Sequence, residues 1–410
     1  MTLSGSIILL LLVAAAVALA ARRLRVPYTV ALVVAGLGLS ASPLLHPPAL
    51  TKELLFAVFL PGLLFEAAFH LDAEEFWRNR LTIFSLALPA VVLATLLTAS
   101  TLVFALRLIA VPLAWGPAFV FATLIAATDP IAVVALVRTL GAPTRLGVLI
   151  EGESLLNDGT AAVSFTAAVG YVLGSQPDST SLALQFVYAI GAGVAIGALA
   201  GLATRRLLPW LDDVMVMITM TTTAAYGSFL VADTVGASGV IAAVTAGLMS
   251  GTDASQRAIS PPARVALQSF WQYIAFALNS LVFLLIGFQA GVAQLFSAWR
   301  SILVAYVVVT LARIVVTSLI VAVMPKRERL PRGWTAVLAW SGLRGSLSMV
   351  LALSLSAAMP QREAIIEMTI GVVVLSILVQ GMTVAPLLRW LGLEAAPHGA
   401  ADQATPAAPR

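Results

Sequence analysis

Two short stretches decide the fold of this chain: Ala127-Thr128-Asp129-Pro130 and Glu151-Gly152-Glu153-Ser154-Leu155-Leu156-Asn157-Asp158-Gly159. Both lie inside long apolar runs. A charged side chain at the centre of a bilayer costs roughly 2.5–3.5 kcal/mol even on insertion scales. Carboxylates placed this close together in such surroundings therefore predict a site that handles cations.

The bulk composition is that of a membrane protein. Hydrophobic residues make up 60% of the 410 residues and charged residues 10%, with a mean hydropathy of +1.01, whereas soluble domains carry roughly 25% charged residues. Cysteine is absent, which excludes disulfides, thiolate nucleophiles and cysteine metal sites. The basic residues lie in short loops, and no Gly-x-x-x-x-Gly-Lys phosphate loop occurs. We predict a lipid bilayer as partner, with no nucleic acid, nucleotide or cofactor.

Hydropathy predicts an all-α polytopic membrane protein with thirteen transmembrane helices, because a span needs about 20 apolar residues. The ninth span is short and glycine-rich. The predicted spans cover residues 3–21, 27–43, 51–70, 81–107, 116–138, 146–173, 182–204, 212–232, 236–251, 267–292, 299–324, 333–358 and 364–390. Short linkers indicate one compact bundle. The Ala/Pro-rich tail, 394–410, is predicted to be disordered.

Loop charges predict the orientation of the bundle. Arg22, Arg23 and Arg25 follow the first apolar run, which is the reverse of the order in a signal peptide, so this run is predicted to be a transmembrane helix. With the N-terminus outside, most loop arginines fall on the cytoplasmic side, as the positive-inside rule requires. We therefore expect a multi-pass protein of the cell (inner) membrane with a cytoplasmic C-terminus.

Two spans carry helix-breaking sequences in their middle. In the fifth span Pro130 removes a backbone hydrogen bond and clashes with the preceding turn. The twelfth contains Ser341-Gly342-Leu343-Arg344-Gly345-Ser346. Each alone could be a simple kink. Spans 4–6 and 11–13 have opposite orientations, however, and paired broken helices in inverted halves indicate a midplane transport site. We predict an inverted-repeat fold with broken, crossing helices at spans 5 and 12.

The sixth span has a polar face. Ser154 and Asp158 are four residues apart and share one side of a helix, and Glu153 and Asn157 form a second such pair on the adjacent stripe. Asp158 is predicted to lie nearest the membrane middle. A dehydrated Na⁺, K⁺ or Li⁺ needs several oxygen ligands, and Asp158, Ser154, Asp129 and the backbone at Thr128 could supply them.

One carboxylate could serve both a proton and a metal ion. Desolvation favours its protonated form, whereas a bound cation favours its ionised form. Competition at Asp158 would by itself produce exchange. The alternative is that Asp129 and Asp158 merely pair with Arg313 and Arg344, which also lie in apolar spans. We expect the two arginines instead to pair with Glu153 and to offset carbonyl or helix-end dipoles.

Other polar residues carry weaker signals. Glu66, in the third span, either faces the ion path or only contacts another helix. Asp212, Asp213 and Asp233 stand at span ends, where solvent reaches them. The histidines are predicted in loops or the tail, at His46, His70 and His398, which gives little support to a histidine-based switch. Gly193, Gly197 and Gly201 form a ladder that predicts close helix packing.

At these residues the chain resembles sodium/proton antiporters of the NhaP type, in the monovalent cation:proton antiporter-1 family. The resemblance is carried by Thr128-Asp129-Pro130, by Glu153-Ser154-Leu155-Leu156-Asn157-Asp158 and by Gly342-Leu343-Arg344-Gly345. The closing Val379-Gln380-Gly381-Met382-Thr383 is similar too. Together these motifs span most of the hydrophobic region.

The resemblance implies a homodimer in which a core domain moves against a dimerisation domain in elevator-like alternating access. Dimerisation helices would occupy 1–80 and, with a linker helix, 174–297; the core would occupy 81–173 and 298–393. Asp158 would be the central carrier, assisted by Asp129, Ser154, Thr128 and Glu66. Glu153 would pair with an arginine, Arg313 before Arg344. Asn157 before the aspartate implies electroneutral exchange of one cation for one proton.

Two other classes of function are alternatives to an antiporter. A cation or proton channel would suit the carboxylates equally well, and only its response to voltage alone would distinguish it from an antiporter. An intramembrane enzyme lacks a base, because no histidine, cysteine or HExxH motif is predicted in the membrane. We therefore predict that the protein is not an enzyme. The sequence does not separate Na⁺ from K⁺ or Li⁺.

Overall fold

The computed structural model describes residues 3–24, 26–40, 54–174, 179–252, 257, 259–290 and 292–394. Regular structure within these ranges is entirely helical, which confirms the predicted class. The tail beyond Glu394 and the predicted ends of spans 2 and 3 around residues 41–53 lie outside the described residues, as do His46 and His398.

The helices of the first half begin with α1 (Leu3–Leu24) and α2 (Tyr28–Ser40). They continue as α3 (Leu60–His70), preceded by the π-helical turn Leu55–Phe59, then α4 (Ala73–Arg78), α5 (Arg80–Ala87), α6 (Pro89–Leu108), α7 (Trp115–Ala126), α8 (Ile131–Thr139) and α9 (Thr144–Val172).

The second half contains α10 (Ser179–Leu207), α11 (Val214–Thr234), α12 (Gly239–Ser250), α13 (Pro261–Gln289), α14 (Val292–Ser297) and α15 (Trp299–Val323). It ends with α16 (Trp334–Trp340), α17 (Ser346–Leu353), α18 (Arg362–Leu375) and α19 (Gly381–Trp390), the last two joined by the π-helical turn Ser376–Gln380.

Several of these segments are long enough to cross a bilayer. Within the described ranges seven helical segments combine sufficient length with sufficient hydropathy, and they are Arg80–Leu108, Trp115–Thr139, Leu184–Trp210, Val214–Thr234, Pro261–Gln289, Trp299–Val323 and Arg362–Trp390. Shorter apolar helices accompany them, at Ile8–Ala21, Tyr28–Ser40, Phe56–His70 and Gly239–Ser250. The chain is therefore a multi-pass membrane protein.

Polar side chains cap the N-termini of several helices. Asp213 accepts a hydrogen bond from the backbone N–H of Met215 at 2.7 Å, and Asp72 accepts one from Glu75 at 2.9 Å. Ser238 caps α12 through the N–H of Ile241. These caps satisfy N–H groups that have no partner inside the helix, so the loops can turn at the membrane surface.

The helices pack in two sets. In one set α12 contacts α3, α10 and α11, and α2 packs along α13. In the other set α7 contacts α6 and α9, and α15 contacts α6 and α18. Contacts between α9 and α12 join the two sets. The polar helix α9 therefore lies where the sets meet.

Glycines bring α10 onto α12. A Cβ added at Gly193 would lie 2.8 Å from the carbonyl oxygen of Ser238, and one at Gly201 would lie 2.6 Å from the Cβ of Met249. A Cβ at Gly197 would overlap the carbonyl oxygen of Ala242. This contact confirms the packing predicted from the glycine ladder, since small residues let backbones approach in a membrane.

The glycine contact gives a first test. Gly197→Ile should destabilise the protein by about 1–3 kcal/mol, because the added atoms have no space against Ala242. Gly191→Ile on the same helix is the control, since no atom lies within 4 Å of a Cβ built there. Thermal unfolding in detergent would measure both. Equal melting temperatures for the two variants would contradict the packing.

Candidate ion-binding site

The two interrupted helical segments meet. α7 ends at Ala126 and α8 begins at Ile131, while α16 ends at Trp340 and α17 begins at Ser346. Asp129 lies between α7 and α8, and Leu343 lies between α16 and α17. The backbone N–H of Asp129 donates to the carbonyl oxygen of Leu343 at 2.8 Å. A Cβ at Gly345 would overlap the side chain of Asp129. The non-helical stretches are thus in direct contact at a point where a glycine is required.

Asp129 sits at the start of two half-helices. Its Oδ1 accepts from the N–H of Ile131 at 3.1 Å, and the N–H of Ser346 also bonds to this side chain. These residues are the first of α8 and α17. Helix N-termini carry partial positive charge and stabilise an anion. The carboxylate of Asp129 therefore offsets two helix ends and has no arginine partner among the described ion pairs.

Asp158 is less completely satisfied. The backbone N–H of Thr128 bonds to its carboxyl group, and Asp129 and Glu153 are close enough to repel it. Its Oδ1 is buried and has no hydrogen-bond partner within the described structure. A buried carboxylate oxygen without a partner is unfavourable unless something binds it. A proton or a cation would meet that need.

Hydroxyl and amide groups of α9 hold Thr128, the residue whose backbone N–H bonds to Asp158. Ser154 donates its hydroxyl hydrogen to the carbonyl oxygen of Thr128 at 2.6 Å and accepts from the Thr128 hydroxyl at 3.2 Å. The amide of Asn157 donates to the carbonyl of Ala126 at 2.9 Å and to the Thr128 hydroxyl at 3.2 Å. α9 thus holds the broken segment through side chains one turn apart. The neighbouring oxygen atoms are of the type that alkali cations bind.

Glu153 is paired with Arg313. Arg313 donates two hydrogen bonds to Glu153, from Nη1 to Oε1 at 3.1 Å and from Nη2 to Oε2 at 2.9 Å. The side chain of Arg313 is 12% exposed and that of Glu153 is 3% exposed. Arg313 also donates to the carbonyl oxygen of Leu338 at 3.1 Å. A Cβ at Gly342 would overlap its guanidinium. The bidentate geometry is that of a strong, charge-assisted pair.

Arg344 serves a different purpose. Its Nη1 donates to the carbonyl oxygens of Ala126 and Ala127, at 2.9 and 3.3 Å, and its backbone N–H donates to Ser376. Ala126 is the last residue of α7. A cation at a helix C-terminus is stabilised by the partial negative charge there. Arg344 is therefore placed on the carbonyl end of the broken helix and not on Glu153.

The charges nearly cancel. Three carboxylates (Asp129, Glu153 and Asp158) and two guanidiniums (Arg313 and Arg344) lie together at the crossing. When all are ionised, one negative charge remains. A single proton or a single monovalent cation would neutralise it, and at membrane depth neutrality is strongly favoured.

Glu66 has a partner on its own helix. Its Oε1 lies 3.1 Å from Nδ1 of His70, and nearby Glu151 pairs with Arg138 at 3.2 Å. The prediction that His70 lies in a loop is wrong, because α3 continues through that residue. Electrostatic interactions also connect Glu151 with Glu66 and His70. Glu66 and His70 stand four residues apart on one helix face, and this spacing is the sequence signal for the pair.

A cavity of 840 Å³ lies along the part of α9 that follows the site. It is lined by α9 from Ala162 onward and by α10 and α11, with Asp233 and Tyr188 near the ends of those helices. Ala162 stands four residues beyond Asp158 and so on the same helix face. The cavity also includes Asp233, at the end of α11.

Some contributions were not found from the sequence. Ser348 donates to the carbonyl oxygen of Leu124 at 2.9 Å, which ties α17 to α7. Asn157 was predicted to pair with Glu153 on one stripe of α9; its amide also donates to the carbonyl oxygen of Ala126, a partner that the sequence did not indicate. Serines and asparagines are common in helices, so only their partners reveal these roles.

Comparison with known proteins identifies the family of this chain. Residues 7–390 match the family described as sodium/hydrogen exchanger, transmembrane. The chain is 37% identical over 372 residues to the Na⁺/H⁺ antiporter ApNhaP of Aphanothece halophytica, covering 90% of this chain and 70% of that protein. It is 32% identical over 404 residues to the Na⁺/H⁺ antiporter NhaH of Halobacillus dabanensis, covering 94% and 97%.

The fold has a counterpart among solved structures. The sodium proton antiporter MjNhaP1 of Methanocaldococcus jannaschii, at pH 8, superposes with a TM-score of 0.75 at 18% identity, covering 95% of this chain and 97% of that one. Fold and site thus define a membrane ion transporter. The chain belongs to the sodium/hydrogen exchanger family. The resemblance drawn from the motifs is confirmed, and the family is one of transporters, not of enzymes.

The ion pair gives a second test. Glu153→Gln should cost about 3–5 kcal/mol of stability, because it leaves the guanidinium of Arg313 buried without its counter-charge. The double variant with Arg313→Gln should recover part of the loss. Chemical or thermal unfolding in detergent would measure this.

The matched control is Glu394→Gln, which removes an exposed pair with Arg389 and should cost no more than about 1 kcal/mol. A loss for Glu153→Gln as small as for this control would show that the intramembrane pair does not support the fold.

Proposed function

We propose that this protein is a secondary antiporter that exchanges Na⁺ for H⁺, with K⁺ and Li⁺ as further candidate cations. The named relatives, ApNhaP and NhaH, are Na⁺/H⁺ antiporters. The observation that carries the proposal is the buried Oδ1 of Asp158, which has no hydrogen-bond partner within the described structure although the carboxyl group bonds to the backbone of Thr128. A proton or a cation would bind there in turn.

Competition at Asp158 would couple the two fluxes. Protonation places a neutral carboxyl group at the site, and loss of that proton leaves a carboxylate to which a cation can bind with oxygens of Ser154, Thr128 and Asp129. Because a bound cation favours the ionised form, the two occupants exclude one another. Glu66 would assist on the way to the site, held by its partner His70.

The charge balance supports exchange of one cation for one proton. The crossing carries one net negative charge with every group ionised, so each occupant makes the site neutral. Asn157 contributes no charge to this balance. An elevator-type movement would then carry a neutral site through the membrane in both directions, which avoids the cost of moving a buried charge.

The moving parts follow the two packing sets. The core would comprise residues 81–173 and 298–393, and the dimerisation domain 1–80 and 174–297, with two copies forming a homodimer. Thirteen crossings in inverted halves would place the N-terminus outside and the C-terminus in the cytoplasm. The 840 Å³ cavity beside α9 would then be the external approach to Asp158.

Asp158→Asn should abolish exchange, because an amide cannot alternate between a proton and a cation. Proteoliposomes loaded with a pH-sensitive dye would measure proton movement on addition of Na⁺, K⁺ or Li⁺. Asp212→Asn, an exposed carboxylate at the start of α11, is the control and should exchange normally. Retained exchange in Asp158→Asn would refute the assignment.

Stoichiometry has its own test. A Na⁺ gradient should drive proton flux without current across a solid-supported membrane, since one charge moves in each direction. A current that scales with the flux would overturn the electroneutral mechanism. Proton movement driven by voltage alone, with no counter-cation gradient, would instead indicate a channel.

A further inference from the structure

A second cavity, of 660 Å³, lies between the two packing sets, and none of the site residues lines it. Apolar side chains form both walls. On one side these are Phe84, Val92 and Leu156, and on the other Ile190, Val194 and Val244. The walls belong to α5, α6 and α9 on one hand and to α10 and α12 on the other. We refer to this cavity as the apolar groove.

The apolar groove offers nothing to a polar ligand. Two threonines line it, and both hydroxyls donate within their own helices: Thr160 to the carbonyl oxygen of Leu156 at 3.0 Å and Thr245 to that of Ile241 at 2.7 Å. A polar ligand would lose its hydrogen bonds to water without replacement. The fitting occupant is therefore a hydrocarbon chain.

The apolar groove is open to the bilayer. Phe84, Val92 and Val194 are 38%, 47% and 43% exposed, and each stands on a helix long and apolar enough to cross the membrane. The medium around such residues is lipid acyl chain. A lipid chain can thus enter from the side without leaving hydrocarbon.

A basic residue stands at one end of the apolar groove. Arg80, the first residue of α5, precedes Phe84 by four residues, so the two lie on one face of that helix. Its Nη1 donates to the carbonyl oxygen of Trp77, which lines the same cavity. The ion pairs seen in the described residues give Arg80 no carboxylate partner. Trp and Arg together are typical of the membrane interface.

We propose that the apolar groove binds one acyl chain of an anionic phospholipid whose phosphate is held by Arg80. The chain lies between the two packing sets, and the headgroup rests at the membrane surface beside Trp77. Charge complementarity selects an anionic headgroup over a zwitterionic one. The site is separate from Asp158 and its ligands, and the proposal stands independently of the transport mechanism.

Binding can be measured directly. Delipidated protein in detergent would be titrated with dioleoyl phosphatidylglycerol or dioleoyl phosphatidylcholine and followed by native mass spectrometry. Phosphatidylglycerol should bind more tightly. Arg80→Ala should weaken that binding about fivefold, the effect of one basic residue at an anionic surface. Arg78→Ala is the control, because Arg78 already pairs with Glu74 and Glu75. Equal affinities for the two variants would overturn the role of Arg80.

The location of the chain needs a second measurement. Val194→Trp would fill the apolar groove and should remove the tight-binding lipid, whereas Val187→Trp, 66% exposed on the same helix but outside the groove, should not. A phosphatidylglycerol with a photoreactive acyl tail should label peptides of α9 and α10. Labelling confined to other helices, or cross-links to a second copy of the chain at this face, would overturn the proposal.

Discussion

The rest of the structure depends on one constraint: backbone groups freed where two helices break must find partners within the membrane. Irregular backbone at membrane depth is tolerated only where protein or an aqueous cavity covers it. Here the freed N–H groups at Ile131 and Ser346 bond to Asp129, and the freed carbonyls of Ala126 and Ala127 bond to Arg344. Each charged side chain thus offsets the helix end of opposite sign.

This arrangement explains why charge is concentrated at the crossing. An aspartate and an arginine are needed for the helix ends, and each would be costly if it were isolated. Glu153 and Arg313 add a bidentate pair that also reaches the carbonyl of Leu338. Gly342 and Gly345 make room for Arg313 and Asp129, where any Cβ would overlap them. The glycines are therefore as necessary to the crossing as the charges.

Asp158 differs from these groups because one of its two oxygens, Oδ1, has no hydrogen-bond partner in the described structure, while the carboxyl group accepts from the N–H of Thr128. Its neighbours are engaged with backbone or with each other, which keeps the site in shape whether or not Asp158 is occupied. The large cavity near α9 and the apolar groove both lie where the two packing sets meet. The ion site itself lies within one set. The ion site and the two cavities thus occupy different parts of the molecule.

The sequence by itself determined the class of protein, the position of most helices and the residues around Asp158. Those features depend on local quantities: hydropathy over about twenty residues, a proline or glycine inside an apolar run, and side chains four apart on one helix face. The glycine ladder on α10 belongs with them, because small residues at a spacing of four define a packing face before the partner helix is known.

Only the tertiary structure decided which groups meet. In the fold Glu153 pairs with Arg313, and Arg344 bonds to the last carbonyl groups of α7. Glu66 pairs with His70, which was expected in a loop. Arg313 and Arg344 lie some 160 and 190 residues after Glu153 in the chain. Which of the two pairs with Glu153 therefore depends on the distances between helices in the folded protein. Hydrogen-bond partners across such separations follow from how helices pack, and no local pattern encodes that geometry.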